Sequence, residues 1–254
     1  MSAAQPLPAF EDNYIWRLAD AQGRWLVVDP GDAAPVLALQ ADRPPEAILL
    51  THHHSDHIGG VTELLAHWPD VPVYAPADPR IGKASHRVAG GQSFRVADWT
   101  IQVIDVAGHT TSHIAFLAQG FLFCGDALFS LGCGRMFEGT PAQMLAGLDR
   151  LAALPADTQV CCGHEYTLAN AAFALAVEPD NPDLQRRYQE AKAMRHQQQP
   201  TLPSTLGNEL ACNPFLRTAR RSVQSAVASR LADRDTDRVA VFAALRSWKD
   251  GFTA

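Results

Sequence analysis

No apolar run in the 254 residues approaches the roughly 18 needed to cross a bilayer, so no membrane span is expected. The first ten residues lack both positive charge and a long apolar core, and do not read as a secretory signal. The expected location is the cytoplasm. Cysteine is scarce and unpatterned: five residues, an odd number, with no spaced framework. Cys161 and Cys162 adjoin near the end of an apolar run, and all five are expected to be buried, reduced thiols. Positive charge is also short. Against 27 acidic side chains stand 21 basic ones, a net of −6, which argues against broad contact with nucleic acid. The deficit is uneven, since from Ala211 onward eight Arg or Lys and four Asp leave +4, and the rest of the chain −10. There is no internal repeat and no low-complexity segment. What is present, 47% hydrophobic and 19% charged residues, suits a soluble globular protein of one large or two modest domains.

Through the first two thirds, short apolar runs alternate with helical patterns. Strands are expected at 14–18, 25–28, 47–50, 71–74, 93–96, 100–106, 114–117, 121–124 and 158–161. Helices are expected at 34–40 and 60–67. Another opens at Thr140-Pro141-Ala142-Gln143, where Thr140 can cap, Pro141 suits the first helical position and Gln143 completes a capping box. Beyond Gly163 the pattern turns helical: 167–177, a helix capped by Asn181-Pro182 and stopped before Pro200, 220–231 and 236–247. This reads as an α/β domain over 1–165 followed by an all-helical domain over 166–254.

The chemistry concentrates in Thr51-His52-His53-His54-Ser55-Asp56-His57, directly after an apolar strand. In an extended segment alternate side chains share a face, so His52 and His54 can point together while His53 points away. A lone histidine is most often structural, but this density is hard to explain as core or surface. Protonated imidazoles packed so closely would repel, and a metal ion holds them neutral. Imidazole with carboxylate suits zinc, iron or manganese rather than calcium. One loop is too floppy a site, and three further positions share one pattern. Gly108-His109, Gly125-Asp126 and Gly163-His164 each place a ligand type just past a β run, beside a glycine that allows a tight turn.

The motif Thr-His-x-His-x-Asp-His, followed by Gly-His, Gly-Asp and a last His, is similar to the metallo-β-lactamase superfamily. Further segments resemble the glyoxalase II, or hydroxyacylglutathione hydrolase, family within it. They include Pro8-Ala9-Phe10 to Tyr14-Ile15-Trp16, Val28-Asp29-Pro30-Gly31, Gly132-Cys133-Gly134-Arg135, Phe137-Glu138-Gly139-Thr140 and Gly163-His164-Glu165-Tyr166-Thr167. Asn213-Pro214-Phe215-Leu216-Arg217 and Leu245-Arg246-Ser247-Trp248-Lys249-Asp250 extend the likeness to nearly the whole chain. The histidine motif specifies only the superfamily; Gly-Cys-Gly-Arg and the C-terminal Arg-x-x-Lys-Asp are much more specific.

The resemblance implies an αββα sandwich followed by a smaller helical domain. It implies two divalent metal ions, zinc first, with iron or manganese as alternatives. His52, His54 and His109 would hold one; Asp56, His57 and His164 the other; Asp126 would bridge them. The remaining histidines are left out, with His113 a candidate for a supporting contact. The implied reaction is hydrolysis of the thioester of S-D-lactoylglutathione to D-lactate and glutathione by a metal-bridging hydroxide, the second step of methylglyoxal detoxification. Asp56 and Asp126 are catalytic through that hydroxide. The leaving thiolate, from a thiol with a pKa near 8.5, needs little help from a general acid. Arg135, Arg246 and Lys249 would contact the glutathione carboxylates, and Tyr166 the peptide. Phe137 stands where many relatives have Tyr, and Arg135 where many have Lys, which keeps the charge but changes the geometry. Without the resemblance, Arg246 and Lys249 read as a solvated helix end. The expected working unit is a monomer acting on a small-molecule thioester. Rival readings are a persulfide dioxygenase of the same fold, a superfamily nuclease, which the net charge disfavours, and a metal-stabilised binding protein.

Overall fold

The computed structural model of the chain describes residues 2–40, 42–231 and 237–253. The chain divides into two compact units. One comprises Met1–Asp105, Ser112–Gly125 and Cys161–Glu165; the other comprises Val106–Thr111, Asp126–Val160 and Tyr166–Ala254.

In the first unit β1 (Ala3–Ala9), β2 (Asn13–Ala19) and β3 (Trp25–Val28) form an antiparallel meander. The chain continues through α1 (Ala34–Gln40), β4 (Ala47–Leu49), α2 (Ser55–Ile58), α3 (Val61–His67), β5 (Val73–Ala75) and β6 (His86–Arg87). Strands β3 to β6 pair in parallel, giving a sheet of order β1-β2-β3-β4-β5-β6. Strands β3 and β4 are buried at every position, as expected of central parallel strands. Then β7 (Ser93–Val96), β8 (Trp99–Asp105), β9 (Ile114–Ala118) and β10 (Phe121–Gly125) pair antiparallel in sequence. Between the two sheets, the Trp16 and Phe123 rings lie 6.3 Å apart, and the Trp16 indole donates to the Cys162 carbonyl at 2.9 Å. Burying side chains of this size stabilises by about 1.5–3 kcal/mol each.

The second unit holds a ribbon of β11 (Leu128–Phe129) and β12 (Gly132–Cys133), then α4 (Pro141–Ala152) and the first two residues of β13 (Gln159–Cys162), whose Cys161 and Cys162 belong to the first unit. Helices α5 (Thr167–Val177) and α6 (Pro182–His196) pack together. The short strand β14 (Ser204–Thr205) pairs with Gln159 and Val160. Helices α7 (Leu206–Cys212), α8 (Arg221–Val227) and α9 (Arg238–Asp250) complete the described residues, with α4 against α9. Within the first unit the second sheet runs β10-β9-β8-β7. A small core of Leu131, Ala171, Ala174, Leu184 and Cys212 sits under the helices.

The expected capping box at Thr140 and Gln143 is present, as is the Asn181 cap of α6. Several elements escape the sequence pattern: α2, β6, β11 and β12, of two to four residues each, are too short to show one, and β1, α7 and β14 are missed as well. Strand β1 contains Pro6 and Pro8, which argue against a central strand. It is an edge strand, however, and prolines two apart put both missing N–H groups on one side, where no partner is needed. Helix α7 opens with Gly207 and Asn208 and is held by the Thr205 cap, which accepts from the Asn208 amide. Strand β14 is too short to show a period. The last helix begins at Arg238; Thr236, its expected start, lies outside the described residues.

Candidate metal centre

Buried strand β4 delivers Leu50 and Thr51 to the interior; the chain bends at Thr51 and His52 and is extended at His54 before α2 begins. His52 Nε2 lies 3.1 Å from His54 Nδ1. His53 turns elsewhere, its Nδ1 3.5 Å from Asp78. The loop comes close to Gly31: a Cβ there would lie 1.8 Å from the Asp56 carbonyl oxygen, so only glycine fits.

The ligand atoms of Asp56, His57 and His164 lie within 4.8 Å of one another. Asp56 Oδ2 is 3.5 Å from His57 Nε2 and 3.4 Å from His164 Nε2. Each imidazole is held from behind by a carboxylate. His57 Nδ1 donates to Asp29 at 3.0 Å, and His164 Nδ1 donates to Asp12 at 2.8 Å. A carboxylate only accepts, so Nδ1 carries the proton and Nε2 presents a lone pair to Asp56. Lone pairs facing one another at this range suit a cation between them. Asn13 Nδ2 donates to Asp56 Oδ2 at 2.9 Å and fixes the rotamer.

Asp29, His52 and His57 form a second close group. Asp29, only 4% exposed, is already engaged by the Thr51 amide at 2.8 Å and hydroxyl at 2.7 Å as well as by His57. It reads as an orienting carboxylate. The hydroxyl of Thr51 also lies 3.0 Å from His52 Nδ1. His113 is buried and stacks on His52, ring centres 4.5 Å apart.

In the second unit the same logic recurs. His109 Nδ1 donates to the Arg135 carbonyl at 2.8 Å. Its Nε2 faces Asp126 Oδ2 at 3.5 Å. The backbone of 137–139 braces this loop, as the Phe137 amide donates to the His109 carbonyl and the Gly139 amide to the Gly108 carbonyl. Glu138 accepts from the Thr111 amide and hydroxyl. Phe137 is 60% exposed, with its ring 5.2 Å from that of His109.

The expected substrate contacts also lie in the second unit. Arg135 is exposed and its Nε is 3.4 Å from Asp250. Lys249 is partly buried, donates to the Ala169 carbonyl at 3.3 Å and sits over the rings of Phe173 and Phe252. Burial, then the neighbouring Arg246 charge, pushes the Lys249 pKa down. Tyr166 is partly buried beside Phe129. Arg246 is different. It is buried, with Nη1 on the Cys133 and Gly134 carbonyls and Nη2 on Asp250.

Sequence reasoning gave no role to Asp12, Asn13 or Asp29. Asp29 carries the same signal as the ligands, a carboxylate just past an apolar strand beside Pro30-Gly31. Asp12 and Asn13 carry none, because they act through a hairpin whose first strand is masked by proline. The donor set of imidazoles and carboxylates, oriented in advance, fits divalent metal ions.

The sequence profile of the metallo-beta-lactamase superfamily matches residues 13–164. The profile described as "Hydroxyacylglutathione hydrolase C-terminus" matches residues 165–252. The hydroxyacylglutathione hydrolase of Xanthomonas euvesicatoria pv. vesicatoria (strain 85-10) is 60% identical over 248 residues, 97% of each chain. Among solved structures, TTHA1623 in a di-iron-bound form is 27% identical with a TM-score of 0.60, covering 84% of this chain and 100% of that one. The BLEG-1 B3 metallo-beta-lactamase, at 24% identity and a TM-score of 0.63, covers 85% of this chain and 99% of its own, and shows the shared fold.

Proposed function

Since the chain belongs to the hydroxyacylglutathione hydrolase family of the metallo-β-lactamase superfamily, we propose that it hydrolyses S-2-hydroxyacylglutathione thioesters, S-D-lactoylglutathione foremost. The products are the hydroxy acid, D-lactate in that case, and glutathione. The observation that carries this reading is the set of imidazoles pinned from behind by carboxylates or a carbonyl, with their front nitrogens turned on Asp56 and Asp126.

In this reading His52, His54 and His109 would hold one ion, Asp56, His57 and His164 would hold another, and Asp126 would serve both. Zinc suits the donors best, with iron or manganese as alternatives. When bound, such ions polarise a carbonyl and lower the pKa of water to about 7. The chain's own part is to fix those donors and to present the thioester. Asp29, Asp12 and the Arg135 carbonyl hold three imidazoles in the required tautomer. Arg135 and Lys249 offer cations to the glutathione carboxylates, Tyr166 offers a hydroxyl to the peptide, and Phe137 offers an apolar edge in place of a hydroxyl. The leaving thiolate departs without a dedicated acid, since its thiol has a pKa near 8.5.

We take the division at 165/166 to separate a catalytic domain from a substrate-binding one; the two matched profiles meet at 164 and 165. The working unit in this reading is one chain in the cytoplasm, without a nucleic-acid partner. Five buried thiols suit a reducing compartment, and no helix among the described residues is long and apolar enough to cross a membrane. The C-terminal profile and the named relatives favour thioester hydrolysis over a persulfide dioxygenase. The test is thioester loss followed with and without a chelator. Chelation should abolish turnover and zinc should restore it; turnover indifferent to chelation would overturn the reading.

A further inference from the structure

Among the described residues the exposed large apolar side chains are Phe10, Leu39 and Phe137. Phe10 opens the turn of the β1–β2 hairpin, directly after the last strand pair, Ala9 with Asn13. It is 60% exposed, and its φ of 51° lies in the left-handed region. Hairpin turns usually give such positions to Gly, Asn or Asp, and a bulky side chain there is strained. The left-handed residues in the turns after β7 and β9 are Ala97 and Gln119, whose side chains water tolerates. A phenyl ring both exposed and strained destabilises the turn on two counts, and strain of this kind collects at functional sites.

The surroundings of the ring supply its use. A Cβ built on Gly31 would lie 3.0 Å from Phe10 Cε2 and 1.8 Å from the Asp56 carbonyl oxygen. One point so close to both sets the edge of the ring beside the backbone of Asp56. The same turn holds Asp12, which accepts from His164 Nδ1 at 2.8 Å, and ends on Asn13, which donates to Asp56 Oδ2 at 2.9 Å. The turn is thus tied to the group of Asp56, His57 and His164 from two sides, with Phe10 beside that group and most of its surface open. A phenyl ring offers neither charge nor hydrogen bond to a carboxylate or a peptide. It suits an apolar substituent, and a 2-hydroxyacyl thioester carries one next to its reacting carbonyl, on C2.

We propose that Phe10 is a specificity-determining residue, its exposed ring the apolar wall against which the C2 substituent of the acyl group packs. The inference rests on the thioesterase reading above. It gives Phe10 no part in holding metal or in contacting the glutathione carboxylates.

The test is kcat/KM of the wild type, Phe10→Ala and Phe10→Gly for three glutathione thioesters that differ only at C2: glycoloyl with hydrogen, D-lactoyl with methyl and D-mandeloyl with phenyl. Loss of metal or of glutathione binding would affect all three alike, so the ratio of mandeloyl to glycoloyl reads the C2 contact. In both variants that ratio should fall about tenfold or more, the usual effect of removing an apolar contact from a pocket. The Ki of glutathione as a competitive inhibitor should stay within about threefold of wild type. Glycine adopts the left-handed region freely, so Phe10→Gly should melt above Phe10→Ala while losing the preference equally; it also carries the test should Phe10→Ala fail to fold. A ratio that does not fall, or a glutathione Ki that rises as rates on all three thioesters drop together, overturns the proposal. A wild type that hydrolyses none of the three sinks the thioesterase reading itself, whereas hydrolysis with an unchanged ratio in the variants sinks only the role of Phe10.

Discussion

At the scale of single residues, the carboxylates divide into those that face the proposed ions and those that stand behind a histidine. Asp126 belongs to the first kind. Asp126→Ala should lose metal at both positions, which metal analysis after dialysis will report; a protein still holding two ions would remove its bridging role. Asp29 belongs to the second. Asp29→Ala should weaken metal binding by about 10–100-fold while leaving every ligand in place, measured by chelator competition. Lys249→Ala should raise KM for the glutathione thioester far more than it lowers kcat, read from initial rates. Asp78 is a carboxylate of a third kind. Arg80 and the Ser112 hydroxyl hold its pKa well below the ordinary range, against the upward push of burial. A depressed carboxyl contributes stability that is present above its unfolded pKa, near 3.9, and lost as pH falls through the folded value. Asp78→Asn should therefore cost about 1–3 kcal/mol at pH 7, a gap that urea titrations should find narrowing below about pH 4.

At the scale of elements, legibility followed local chemistry. The helix Pro141–Ala152 was readable because its capping box uses side chains that bond only to their own neighbours. Thr140→Ala should lower stability by about 1 kcal/mol, detectable as a lower midpoint of thermal unfolding. The loops at His109, Asp126 and His164 stand out in the sequence because each joins a strand end to a glycine, a pattern confined to a few residues. Strand β1 was not, because the tolerance of Pro6 and Pro8 depends on being at the edge of a sheet, and edges exist only once strands have paired. Asp12 and Asn13 were hidden for the same reason: they reach His164 and Asp56 only because β1 and β2 make a hairpin. Arg246 shows a different limit. Helical spacing placed Arg246 and Lys249 on neighbouring positions, but it could not tell that a carbonyl more than a hundred residues away would claim the guanidinium.

At the scale of the whole molecule, the change from strands to helices near residue 165 was visible as a change of period. The compact units follow contacts instead, so 106–111 and 126–160 group with the helices, and no periodicity announces that. The apolar cores contain none of the ligands, so the fold should persist without metal and be strengthened by it. Zinc at a hundred times its Kd should add about 2.7 kcal/mol, or about 5–10 °C in Tm for a chain of this length. The far-ultraviolet circular dichroism of chelated and zinc-loaded protein should superimpose.

The rear hydrogen bonds of His57, His109 and His164 are made by the protein alone. Nothing in them discriminates one borderline divalent ion from another. On the reading proposed above, the choice would fall to whatever ion is abundant when the chain leaves the ribosome. Batches grown with added iron, manganese or zinc should differ in metal content while sharing one sequence and one fold, so the purified protein will carry a chemical record of its culture medium.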